Sequence, residues 1–125
     1  MRRSLARSSI RVNIQVVKQI ATIAPDCPPL LAGALDAEDA EVLARALRVL
    51  ADPTRLRILS LVQSQPEQEA CICHLTEPLG LTQPTVSHHM KVLLAAGLVD
   101  REQRGSWAFF RVVPEQLGSL RALLA

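Results

Sequence analysis

The chain has 125 residues, 49% of them hydrophobic and 21% charged, with a formal net charge of +2. This suits one compact domain with a short extension and argues against a second domain or a wholly disordered chain. Aromatic residues make up only 2% and tyrosine is absent, so the core must be built from Leu, Ala, Val and Ile, a composition that leans towards helix. No run of about 18 apolar residues occurs, so a transmembrane helix is not expected and the protein is read as soluble.

The charge is unevenly spread. Arg2, Arg3, Arg7, Arg11 and Lys18 put +5 into the first eighteen residues, leaving 9 of the 14 basic residues against all 12 acidic ones. The acid-free opening resembles a transit peptide in composition but lacks the compact apolar core and cleavage site of a secretory signal, and it reads as a frayed arm. The three cysteines, two of them one residue apart, do not make a disulfide framework. They fit free thiolates in a reducing cytoplasm.

Pro25, Pro28, Pro29 and Gly33 mark an irregular linker, which divides the chain into an arm over 1–34, carrying Cys27, and a domain over 35–125. Asp36 can cap a helix over 37–51 whose buried stripe is Val42, Leu43, Ala46, Leu47 and Leu50. Asp52 caps a second helix with Pro53 at its first position, where the missing N–H costs nothing; Leu56, Ile58, Leu59 and Val62 form its apolar side. After Pro66 a short helix is expected over 71–79, which Pro78 must distort or end.

Gly80 supplies a turn, and Thr82 caps a helix through Ala96 with Val86, Met90, Leu93 and Leu94 inward and Gly97 closing it. Two short helices joined by a glycine turn, the second polar on its outer face, make a helix-turn-helix. The period then changes to that of a hairpin over 98–113, turning at Arg104, Gly105 and Ser106, with Trp107 and Phe109 expected to pack on the core. Pro114 opens a last helix over 115–124 with an apolar strip of Leu117, Leu120, Leu123 and Leu124, too short to stand without a partner surface. The fold class is mainly α with a small β-hairpin, a winged helix-turn-helix.

A helix that reads DNA needs short side chains near base edges and a few long amide or basic ones. Gln83 can bond adenine, Thr85 can offer its methyl to thymine, and Ser87 and His88 can reach base or phosphate. Lys91, Arg101 and Arg104, with Arg111, are suited to neutralising phosphates. His88 and His89 are read as serving DNA contact and packing. The expected partner is double-stranded operator DNA.

The stretches LADPTRLRILSLV, EACICHL and LTQPTVSHHMKVLLAAGLVDREQRGSWAFFRV closely resemble the bacterial ArsR/SmtB metalloregulators, over roughly 41–124. QPTVSHHMKVL resembles the family's recognition helix, and CICHL stands where the family has its CVCDL metal box. The resemblance implies a homodimer whose first and last helices form the interface, accounting for the apolar strip that ends at Leu124.

Soft thiolates select thiophilic ions, and Cys71 and Cys73 supply two. Cys27 is available as a third, since some family members combine an N-terminal cysteine with this box. Three thiolates suit arsenite or antimonite, which the resemblance says are held in a three-sulfur pyramid. Cd(II), Pb(II) or Zn(II) favour a fourth donor, which His74 can supply where the family usually has Asp. The last helix offers only Glu115 as a ligand and no histidine, which argues against a zinc site there.

Residues two apart on an ideal helix point about 200° away from each other. Ion capture by Cys71 and Cys73 is therefore expected to unwind the first turn of the 71–79 helix and misalign a dimer that reads half-sites about 34 Å apart. The expected function is a metal(loid)-responsive repressor, released from operator DNA by As(III) or Sb(III). The alternatives are a Cd(II)-, Pb(II)- or Zn(II)-responsive repressor, or a thiol-redox regulator pairing Cys71 or Cys73 with Cys27. An enzyme is not expected, for no open metal position with a general base is found.

Overall fold

Three side-chain caps set where the principal helices begin. In the computed structural model, which describes residues 30–124, Asp36 accepts the Asp39 N–H and starts α1 (Ala37–Leu50). Asp52 accepts the Thr54 and Arg55 N–H groups and starts α2 (Pro53–Ser64), with Pro53 in its first turn. These backbone bonds, that of Arg55 foremost, hold the Asp52 carboxyl below the usual carboxylate range. Each cap satisfies donors that a helix end leaves without an internal partner.

Beyond α2 the chain makes two short 3-10 turns, Pro66–Gln68 and Ile72–His74, then a single helical turn, α3 (Thr76–Leu79). Gly80 ends α3 at φ 68°, a left-handed conformation that costs glycine least, and its N–H bonds the Thr76 and Glu77 carbonyls. Thr82 then caps α4 (Gln83–Ala95) by accepting the Thr85 N–H. Strands β1 (Val99–Arg104) and β2 (Trp107–Val112) pair antiparallel from Val99 with Val112 to Arg104 with Trp107. α5 (Pro114–Leu124) closes the described chain.

Ile58 and Val62 of α2, Leu75 at the start of α3, Val86 and Leu93 of α4, and Leu98 and Val99 at the root of the hairpin form one continuous core. A second, smaller cluster joins Leu43 and Ala46 of α1 to Leu120 and Leu123 of α5. The helix-turn-helix and the hairpin thus share one core, while the first and last helices share another. Among the described residues no helix is long and apolar enough to cross a membrane.

Two apolar expectations fail. Leu56 is 51% exposed: it lies two residues from Ile58, and that spacing turns it to the opposite side of α2. Trp107 is 59% exposed, because it opens β2 at the tip end of the hairpin, paired with Arg104 beside the Gly105 turn. Phe109 is half-buried, with the Arg104 guanidinium 4.5 Å above its ring.

Candidate thiol site and nucleic-acid interface

Ala70 is where the thiol segment meets the hairpin. It forms an isolated antiparallel bridge with Phe110, each N–H bonding the other's carbonyl at 3.1 and 2.8 Å. The chain entering this bridge is bent by Glu67 and Gln68, both left-handed at φ 59° and 58°. Leaving it, Cys71 stays extended, at φ −91° and ψ 166°, and caps the Ile72–His74 turn. The sequence expectation of a helix over 71–79 is thereby corrected: pairing with β2 fixes the backbone up to Cys71, and regular α-helix starts only at Thr76.

This local geometry brings the thiol residues together. Cys71 is buried at 4% exposure, whereas Cys73 and His74 are exposed. One donor atom from each of Cys71, Cys73 and His74 lies within 4.8 Å of the others. The His74 Nδ1 accepts the Cys71 backbone N–H at 3.3 Å, and the Cys71 carbonyl accepts the His74 backbone N–H at 3.0 Å. Cys71 and Cys73 are joined by a disulfide, a pairing the sequence reading did not foresee, having matched one of them with Cys27. The sulfurs converge without the unwinding expected of a helical pair. Cys27 itself lies outside the described residues.

Glu69, adjacent to the bridge, is the centre of an ion-pair network that sequence reading missed. Its carboxylate takes two bonds from Arg104, at 2.7 and 2.8 Å, and two from Arg111, at 3.1 and 3.3 Å. Arg104 also bonds Glu102 at 2.8 Å. The Arg104 guanidinium, with Arg111, holds the Glu69 carboxyl below its ordinary range, and Glu69 in turn pushes the Arg104 pKa upward. No signal within 69–75 could have announced partners 35 and 42 residues away.

The residues expected to read DNA fall on two elements. Gln83, Thr85, His88 and Lys91 are exposed along α4, and Ser87 is half-buried. The Thr85 hydroxyl lies 3.0 Å from that of Thr82, at the helix cap. Arg101 is exposed on β1 and donates to Gln103 Oε1 at 2.6 Å. Arg104, expected to meet phosphate, is already engaged by Glu69 and Glu102. His89 turns inward to α2: Arg55, which can only donate, places Nη1 3.1 Å from His89 Nδ1, so the ring nitrogen accepts.

A turn-linked helix pair with a polar outward face, flanked by a two-stranded wing, defines a winged helix-turn-helix protein. Residues 52–101 match the model of the bacterial regulatory proteins of the arsR family. An uncharacterised HTH-type transcriptional regulator of Methanocaldococcus jannaschii is 33% identical over 87 residues, which is 70% of this chain and 96% of that protein. The chain therefore belongs to the ArsR family of transcriptional regulators, which are not enzymes.

The arsenic resistance transcriptional regulator ArsR1 of Pseudomonas putida is 40% identical over 54% of this chain and 52% of its own length. The arsenical resistance operon repressor of Bacillus subtilis is 36% identical over 58% of this chain and 68% of its own length. Among solved structures, a possible transcriptional regulator for arsenical resistance superposes with a TM-score of 0.56 at 35% identity, covering 62% of this chain and 78% of that one.

Proposed function

We propose that this protein is a metal(loid)-responsive repressor that binds operator DNA as a homodimer and is released when arsenite or antimonite is captured by cysteine thiolates. The observation that carries the reading is the convergence of Cys71 and Cys73 on a turn bridged to the wing through Ala70 and Phe110. Arsenite exchanges its hydroxides for thiolates and releases water, with no change of oxidation state. The responsive form is accordingly the reduced dithiol, with Cys27 as the third sulfur.

His74 fits the three-sulfur set better as a support than as a ligand. A metal-bound histidine donates its other ring N–H to an acceptor, whereas His74 Nδ1 here accepts from the Cys71 backbone. Ion capture that shifts Cys71 pulls on Ala70, and so on β2. The wing, more than an unwound helix, carries the signal to DNA. A coupling of about 1 to 3 kcal/mol is typical of such linkage.

Dimerisation through α1 and α5 is supported by apolar surface at their shared end. Leu30, Leu31 and Leu124 are exposed there, at 45%, 82% and 43%, and the Leu30 N–H bonds the Leu123 carbonyl. The DNA-binding residues in this reading are Gln83, Thr85, Ser87, His88, Lys91 and Arg101, with Arg104 joining them where Glu69 lets it go, and the cytoplasm is the compartment in which the dithiol stays reduced. The relatives named for arsenical resistance favour arsenite over Cd(II), Pb(II) or Zn(II).

A second reading, a thiol-redox regulator, is favoured by the Cys71–Cys73 disulfide. Peroxide would take two electrons from the dithiol and leave as water. The deciding experiment uses reduced protein on an operator selected from random duplexes, titrated separately with arsenite, Cd(II) and peroxide. Release by arsenite is expected. Release by peroxide alone overturns the metal reading, and release by Cd(II) alone that is lost in His74→Ala moves the ion to a set with four donors.

A further inference from the structure

The hairpin has two faces, set by the alternation of its strands. Arg104, Phe109 and Arg111 belong to the face that meets Glu69. The other face pairs Arg101 with Phe110 and Gln103 with Ala108, and between it and α4 lies a cavity of about 510 Å³. That volume falls within the roughly 300 to 1,000 Å³ of small-molecule sites. Ala108 adds only a methyl group to this face, where Phe110, the next residue of β2 on the same face, adds a ring.

Met90, Leu94, Ala108 and Phe110 make the walls apolar, and Ile72, from between the two cysteines, completes them. Its polar lining comes from Ser87, Lys91, Arg101 and Gln103. Two cations and no carboxylate line it, so the chemistry is complementary to an anion with an apolar body and hostile to a cation.

We propose that this cavity binds a small amphipathic carboxylate, its apolar body against Met90 and Phe110 and its carboxylate between Lys91 and Arg101. Neither thiol lines the site, and the proposal does not depend on which ion they take. Occupancy would claim Lys91 and Arg101, two cations expected to meet DNA phosphates, and would lie against the wall formed by Ile72. It would give the wing a second chemical input, an organic anion competing with DNA.

The chain has two methionines, Met1 and Met90, so methyl-labelled methionine gives one reporter inside the cavity. Reduced, DNA-free full-length protein is titrated with 2-naphthoate, the neutral 2-naphthylmethanol and the cationic 2-naphthylmethylamine, following the Met90 methyl resonance. A saturable shift with 2-naphthoate is expected, with affinity about tenfold above the alcohol, the worth of a charge-assisted bond. The exposed Lys91→Gln change should remove most of that advantage while leaving the alcohol unaffected. Ala108→Phe should abolish both responses by filling the space. No saturable shift with 2-naphthoate, or equal affinity for acid and alcohol in the wild type, overturns the proposal, as does an undiminished acid preference in Lys91→Gln.

Discussion

Glu69 grips Arg104 at two points, Nη1 to Oε2 at 2.7 Å and Nη2 to Oε1 at 2.8 Å, from a position two residues before Cys71. The pair ties the thiol segment to the tip end of the wing, across the same strand that Ala70 bridges. It also withholds from DNA a guanidinium that the sequence assigns to phosphate. Arg104 is 40% exposed in its side chain and Glu69 11%, so solvent weakens this clamp on the arginine side and leaves it exchangeable.

Replacing Glu69 with Gln should therefore strengthen DNA binding. Arg104 and Arg111 lose their shared carboxylate and become available to phosphates, each new contact adding about 0.9 to the salt slope of the affinity. Fluorescence anisotropy on an operator duplex at several salt concentrations should show tighter binding and a slope steeper by about 1 to 2. Unchanged affinity and slope would mean that neither arginine reaches DNA even when released.

The same carboxylate sets a pH dependence. Its folded pKa lies below the ordinary value of 4.5, chiefly through Arg104, so its contribution to stability is full above 4.5 and is lost as pH falls through the folded value. The urea midpoint of the wild type should exceed that of Glu69→Gln at neutral pH, and the gap should narrow below 4.5. Asp52 behaves with the same sign from its ordinary value of 3.8, but it is common to both proteins and drops out of the comparison.

Much of the fold was legible because its boundaries are local signals. Asp36, Asp52 and Thr82 cap as their side chains allow, and Gly80, Gly97 and Gly105 all take positive φ at the turns expected of them. What escaped were pairings across the chain: Ala70 with Phe110, Glu69 with Arg104 and Arg111, and Arg55 with His89. The helix expected over 71–79 failed for this reason, since a strand residue 40 positions beyond Ala70 imposes the extended form on the start of the segment. The thiols could be picked out by spacing; their convergence could not.

Cys73→Ser should uncouple sensing from DNA binding. Cys73 is exposed, so the substitution buries no new hydroxyl, yet it leaves Cys71 without its neighbouring thiol. Arsenite that releases the wild type should leave the variant on its operator, the coupling falling from about 1 to 3 kcal/mol towards zero. Anisotropy with and without arsenite reads this directly. Release at the wild-type arsenite concentration would show that the ion is sensed elsewhere.

The segment that delivers Glu69 to the wing carries its own backbone cost. Glu67 and Gln68 are consecutive non-glycine residues in the left-handed region, where an L side chain crowds the following carbonyl at roughly 1 to 2 kcal/mol per residue. Gln68 is exposed, so replacing it with Gly relieves the crowding without emptying any part of the core. The relief is partly offset by glycine's greater freedom in the unfolded chain, about 0.5 to 1 kcal/mol. Gln68→Gly should accordingly raise stability by a few tenths to about 1 kcal/mol, read from urea unfolding. A loss of stability would instead mean that the Gln68 side chain stiffens the approach to Ala70, and Gln68→Ala, which restores the crowding but not the amide, would then be as unstable as the glycine variant.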